Sequence, residues 1–465
     1  MSWNQTNRAV LAAAPDAVFA VLADLDQWGR WCGGVSEAGL DGPVRVGQTA
    51  GMALDIPVVR HVHRATAPPV RVRALEHGTR IVLEQPQPGG SLTIEWTVTA
   101  DSREPGHTLF TQRLAGRGPL SFGMGPVARH ALASDFAMDA LRLWRLAGGV
   151  VDPNLVRVVV AGGSGTLGRR LVGDLAARGH DVVVLTRSPQ PHLPVRQALW
   201  DGVTVEGWAA ELEPASRTAV VNLAGRLVDV RPTAANIASL RSSRVDSTRA
   251  LVRASSGLTA PLAAWVQAST TAIYSDAGET EIDESSPVPV GLPQMTGVAQ
   301  PWEDSVQGAA AEHLHILRTS LVLDRGAPVV DRLVALTRAG LGGSIGTGRQ
   351  WISWIHIDDW LAVARAALGI EPGVRLPDGV VIASAPFPVR NSELMAQLRS
   401  RLHRPWSPPT PVPLMRLGAV LLRTDAALGL TGRRATSSVL PASGFEFAHP
   451  RLDGALDDLL GADQG

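Results

Sequence analysis

The chain has 465 residues, more than one hydrophobic core ordinarily organises, so two or three domains are expected. Its 43 Lys+Arg balance 43 Asp+Glu, and zero net charge excludes the basic footprint of a nucleic-acid binder or an anionic-membrane binder. A single cysteine, Cys32, excludes internal disulfides and cysteine-rich metal sites. No apolar run is long enough to span a bilayer and no signal peptide is evident, so the cytoplasm is the expected compartment. Every basic residue other than histidine is arginine, which removes lysine Schiff bases and lysine general bases from consideration. Tyr274 is the only tyrosine.

Residues 1–150 read as a separate α+β module. Pro15–Leu25 predicts an amphipathic helix, with Val18, Val21, Leu22 and Leu25 on one face and Pro15 in the first turn. Trp28 and Trp31 follow in a glycine-containing loop. From Val44 to Arg113 the pattern is strands broken by turns. Leu92, Ile94, Trp96 and Val98 alternate with polar neighbours, as in a half-buried antiparallel strand. His61 and His63 share one strand face, but no third ligand lies near, so they read as surface or packing residues. A helix over Pro126–Leu146 is expected to close the module. Helix, antiparallel meander and long terminal helix, with the opening RAVLAAAPDAVFAVLADLDQWGRWCGG, resemble the helix-grip fold of the START-like, polyketide-cyclase superfamily. That resemblance implies a cavity for a hydrophobic ligand; a simply filled core is the alternative.

Asp152-Pro153-Asn154 reads as a linker into a second unit, 155–405, with a small helical piece at 406–465 behind a proline-rich connector. The apolar run Val156–Ala161 suits a strand covered on both faces. It is followed by Gly162, Gly165 and Gly168, then by the helical pattern Leu167, Leu171, Leu175, and then by a second buried strand, Asp181–Thr186. Strand, glycine turn, helix and strand within about thirty residues define a dinucleotide-site βαβ unit. The glycines let backbone approach a pyrophosphate, and the helix starting near Thr166 directs its positive end, with Leu167 in its first turn, at the phosphates. Dinucleotide folds specific for NAD place a carboxylate at the end of the second strand. Here that strand ends Thr186-Arg187-Ser188, a guanidinium between hydroxyls, which suits a 2′-phosphate and predicts NADP(H) over NAD(H).

Ala219–Ala224 is a further buried strand, and Asn222, Ala224 and Gly225 stand where a cofactor crosses such a sheet. The helix Leu240–Ser255 carries Arg241, Arg244, Arg249 and Arg253 on what reads as a solvated face. Trp265–Ser269 runs into Thr270-Thr271-Ala272-Ile273-Tyr274. The glycine turn, VVNLAG and ASTTAIY together resemble the epimerase-like branch of the extended short-chain dehydrogenase/reductases. ILRTSLVL, Trp302-Glu303, GTGRQWISWIHIDD and ASGFEFAHPRLDGALDDLL resemble its atypical epimerase-family members, which carry a small C-terminal domain of unknown function. The expected fold is therefore a Rossmann-type doubly wound parallel α/β sheet behind an α+β helix-grip domain.

The resemblance implies a Tyr-x-x-x-Lys proton shuttle some twenty residues past Tyr274, yet Gln294–Ala299 holds neither residue. Thr270 stands where the superfamily's Ser/Thr belongs, and Tyr274 is the one phenol left as a catalytic candidate. Glu303 reads as a structural helix contact. Arg349, in the glycine-rich GLGGSIGTGR loop, and His356 are the substrate-side candidates; Asp358 is expected to cap the helix Asp359–Leu368. Two functions stay open: NADP-dependent oxidoreduction or epimerisation of a small or sugar-like substrate, and non-catalytic NADP(H) binding coupled to a hydrophobic-ligand module.

Overall fold

A computed structural model describes residues 2–39, 44–54, 68–87, 89–118, 132, 135–213, 217–290, 296–404, 406–421 and 425–461. The predicted His61–His63 pair and the first part of the Pro126–Leu146 helix lie outside them. The remainder of that helix runs Phe136–Leu146.

Seven strands form the first sheet: β1 (Ser2–Leu11), β2 (Val35–Gly39), β3 (Thr49–Leu54), β4 (Val70–Glu76), β5 (Arg80–Gln87), β6 (Gly90–Ala100) and β7 (Thr108–Arg117). They pair antiparallel in the order β1-β7-β6-β5-β4-β3-β2. The alternation in β6 buries Leu92, Ile94, Trp96 and Val98, because successive side chains point to opposite faces. The helix Pro15–Ala23 and the helix Phe136–Leu146 cover that inner face. Between sheet and helices aromatic rings pack against one another. Trp28 meets Trp96 with centroids 4.1 Å apart, Trp31 meets Trp96 at 5.3 Å, and Phe110 stacks on Phe136 at 5.7 Å. Among the described residues the buried indole N–H groups of Trp28, Trp31 and Trp96 meet no acceptor.

The second sheet comprises β8 (Arg157–Ala161), β9 (Asp181–Thr186), β10 (Arg196–Leu199), β11 (Thr218–Asn222), β12 (Ala264–Thr270), β14 (Leu314–Thr319) and β18 (Gly379–Ala383). All neighbours are parallel, in the order β10-β9-β8-β11-β12-β14-β18. Helices on both faces explain why the middles of its central strands are apolar. Three short pairs complete the strands: β13 (Glu281–Ile282) with β20 (Arg434–Ala435), β15 (Leu321–Leu323) with β17 (Trp354–His356), and β16 (Trp351–Ile352) with β19 (Val389–Arg390).

The first 150 residues pack against the rest. Helix Phe136–Leu146 packs on the glycine-turn helix Thr166–Ala177, and one buried cluster runs from Trp28 and Phe110 through Leu171 to Val381. The crossing is tight because of Gly173, where an added Cβ would sit 2.7 Å from the Ala137 carbonyl oxygen. The C-terminal segment also reaches across. Helix Leu452–Leu460 packs on β1 and on the helix Asn391–Arg401, with Asp458 bound to Arg8 at 2.8 Å. No helix among the described residues is long and apolar enough to cross a membrane.

Candidate functional site: a cleft at the switch point

The chain order of the parallel sheet reverses between β8 and β11, and ligands bind such folds in the crevice outside the strand ends at that reversal. Gly162 ends β8 there with φ +81°, and a Cβ on it would meet the Leu223 carbonyl and the Ala224 nitrogen within 2.9 Å. Gly168 serves the other requirement, close approach of helix to turn: a Cβ there would lie 2.3 Å from the Gly162 carbonyl oxygen. The helix Thr166–Ala177 starts from Gly165, which has no side chain to cap it, so the N–H groups of its first turn are left for a ligand. Gly165 and Thr166 are exposed, Leu167 half-buried.

The cleft encloses about 810 Å³. Of the residues expected from sequence, Gly162, Gly165, Thr186, Arg187, Ala224 and Gly225 line it together. Thr186 folds its hydroxyl onto the Ser188 carbonyl at 3.0 Å, which shapes the turn carrying the exposed Arg187. Asn222 does not face the cleft. It is fully buried, donates to Thr248 Oγ1 (2.9 Å) and Gln267 Oε1 (3.1 Å), and accepts the Ala224 N–H. Its side chain holds the Leu223–Ala224 turn in place, with its polar atoms already committed.

The structure adds residues that sequence reasoning missed. Arg226 is a second cation on the cleft, its guanidinium braced by Ser239 Oγ at 3.0 Å and its backbone N–H by Ser243 Oγ. Its position directly after the NLAG turn was the available signal. Asp201 also lines the cleft, but its carboxylate accepts the N–H groups of Val203 and Thr204, which hold it below the usual range. Arg244 departs from the expected solvated face. It lies over the Trp302 ring at 5.0 Å and against Gly225, and burial lowers its pKa to about 10.

Thr270 ends β12 and Tyr274 ends the turn that follows it, but neither lines the cleft. Thr270 Oγ1 accepts the Ala272 N–H and so caps the short turn Thr271–Tyr274. Tyr274 is buried; its hydroxyl donates to the Asp283 carbonyl (3.1 Å) and accepts from Arg318 (2.6 Å). Arg318 pairs bidentately with buried Glu303 at 3.0 and 2.7 Å, and Ser269 donates to the same carboxylate. Burial raises the Tyr274 pKa against the opposing pull of Arg318, so the phenol stays protonated at neutral pH.

Arg349 is exposed on its loop, away from the cleft lining, and its carbonyl accepts from Arg390. His356 is buried and caps the helix Ile357–Ala367 itself, accepting the Asp358 N–H at 3.2 Å; the expected Asp358 cap is replaced because the helix begins two residues earlier. His356, Asp358, His449 and Asp458 bring their ligand-type atoms within 4.8 Å of one another. Since Nδ1 of His356 accepts from the backbone, a neutral ring carries its proton on Nε2, 3.6 Å from Asp458, which Arg8 also binds. The Arg8–Asp458 ion pair ties the first sheet to the C-terminal helix, and His356 stands beside it.

Fold and cleft together define a Rossmann-type dinucleotide-fold protein. Residues 158–294 match the NAD dependent epimerase/dehydratase family, residues 3–148 the polyketide cyclase / dehydrase and lipid transport family, and residues 410–459 a domain of unknown function, DUF1731. The bovine (Bos taurus) epimerase family protein SDR39U1 is 31% identical over 311 residues, which is 66% of this chain and 100% of that protein. The crystal structure of human SDR39U1 with NADPH is similar at 30% identity and a TM-score of 0.57, covering 65% of this chain and 98% of that one. A nucleoside-diphosphate sugar epimerase from Corynebacterium glutamicum shares the fold over 98% of this chain and 90% of its own, at 21% identity and a TM-score of 0.59. The chain belongs to the epimerase family typified by SDR39U1, with a polyketide-cyclase-type module in front.

Proposed function

We propose that this chain binds NADP(H) in the switch-point cleft and passes hydride between the nicotinamide and a small substrate. The observation that carries the binding reading is the cleft's chemistry. It combines an uncapped helix N-terminus, glycines whose Cβ positions are closed by backbone, and two arginines, Arg187 and Arg226, on its lining. Gly162, Gly165 and the first helical turn would hold the pyrophosphate, and Arg187, with Thr186 shaping its turn, the 2′-phosphate. The nicotinamide, when bound, supplies hydride chemistry. The NADPH in the human relative's structure supports the same cofactor here.

The Tyr274–Arg318–Glu303 network favours a second reading, a cofactor-binding protein without proton transfer, because the one phenol is already committed. Fluorescence titration of the full chain with NADPH and NADH tests the cofactor assignment. Arg187→Ala is expected to weaken NADPH by about 10- to 100-fold, as loss of a charge-assisted phosphate contact does, and to leave NADH unchanged. Equal affinity of the wild type for both cofactors would overturn the preference. Nicotinamide absorbance followed with a panel of carbonyl and sugar substrates then separates the two readings.

A further inference from the structure

The loop after β9 has two faces. On one, Arg187, Ser188 and Gln190 line the cleft. On the other, His192 and Leu193 turn toward the N-terminal module. Leu193 is buried in the shared core. The His192 carbonyl accepts from Arg142 Nη2 at 3.2 Å, across from the helix Phe136–Leu146. Its ring Nε2 contacts Arg169 Nη1 at 2.9 Å, from the glycine-turn helix, and Arg169 also binds Asp135.

Behind Arg142 the chain of contacts continues into the tryptophan loop. Arg142 binds Asp139 at 2.7 Å, and Asp139, 2% exposed, accepts the Gly33 N–H at 2.9 Å. The segment between the two faces is stiff. It reads Arg187-Ser188-Pro189-Gln190-Pro191-His192, with each proline holding φ near −65°. Gln197 clamps its middle, donating to the Gln190 carbonyl (2.9 Å) and accepting the Gln190 N–H (2.8 Å). Arg187 and His192 are thus the two ends of one stiff segment.

We infer that Arg142 is a positioning residue for the 2′-phosphate side of the cofactor site, so that the N-terminal module sets the loop presenting Arg187. The inference rests on the proposed role of Arg187. It implies that the fused module tunes NADP(H) selectivity through the His192 anchor.

The test is titration of the full chain with NADPH and NADH for wild type, Arg142→Ala, His192→Ala and Arg187→Ala, with thermal unfolding of each. Arg142→Ala is expected to weaken NADPH about 3- to 30-fold, the usual span for energetic coupling between sites, while NADH moves less than about twofold. His192→Ala removes the exposed ring contact without uncovering Asp139, and is expected to weaken NADPH alone by about 2- to 5-fold. Wild-type NADPH affinity in both Arg142→Ala and His192→Ala, with Arg187→Ala impaired, overturns the inference. Equal losses for NADPH and NADH also overturn it, since general support of the fold would act on both. An unimpaired Arg187→Ala sinks the cofactor assignment instead, whatever the other two variants do.

Discussion

Two sites stand at the carboxyl ends of the same parallel sheet, one over β8 and β11 and the other over β12 and β14, and they treat their polar groups in opposite ways. In the cleft, Arg187 is exposed and the first turn of the glycine helix has no cap. Over β12 and β14, Tyr274, Arg318 and Glu303 are buried and bonded to one another. An exposed group can meet a ligand without first breaking an internal ion pair. A group meant for the fold is paired, because a buried charge without a partner is costly. The difference separates exposed polar groups from committed ones within one sheet.

The largest effect expected from breaking this contrast is at Glu303. Glu303→Ala leaves Arg318 buried without its carboxylate and should cost about 3–5 kcal/mol in chemical denaturation, with NADPH affinity within about twofold of wild type. A matching collapse in affinity would mean the two sites act as one. At the cleft, Gly168→Ala drives a Cβ to 2.3 Å from the Gly162 carbonyl oxygen. It should cost about 1–3 kcal/mol, like other overpacked sites, and weaken NADPH by roughly tenfold or more as the turn opens. Normal binding by that variant would show that the turn tolerates a looser geometry than its contacts indicate. Smallest is Tyr274→Phe, which removes the hydroxyl's bonds to Asp283 and Arg318 and should cost about 1 kcal/mol. Once a turnover assay exists, a loss of rate far beyond that stability change would return Tyr274 to the chemistry.

Much of the cleft's lining was legible in the residues. The φ +81° of Gly162 and the helix start at Thr166 follow from a glycine spacing set between two apolar runs, and both signals are local. Arg187 and Gly225 could be assigned to one cleft because parallel βαβ units place successive strand ends side by side. Asn222 misled for the same reason: its strand-end position is right, but whether a side chain turns to the ligand or inward depends on Thr248 and Gln267. Arg244 misled because helical periodicity marks a polar face without saying that Trp302 covers it.

By itself the sequence determined the two sheets' classes, the glycine turn and the absence of lysine chemistry, since periodicity, turn residues and composition act over a few residues at a time. Only the tertiary structure decided which polar groups are committed. Tyr274 meets Arg318 across 44 residues, Arg142 meets His192 across 50, and His356 meets Asp458 from a separate C-terminal helix. Such contacts depend on which strand ends and helices pack together, a property of the whole chain that no local pattern carries.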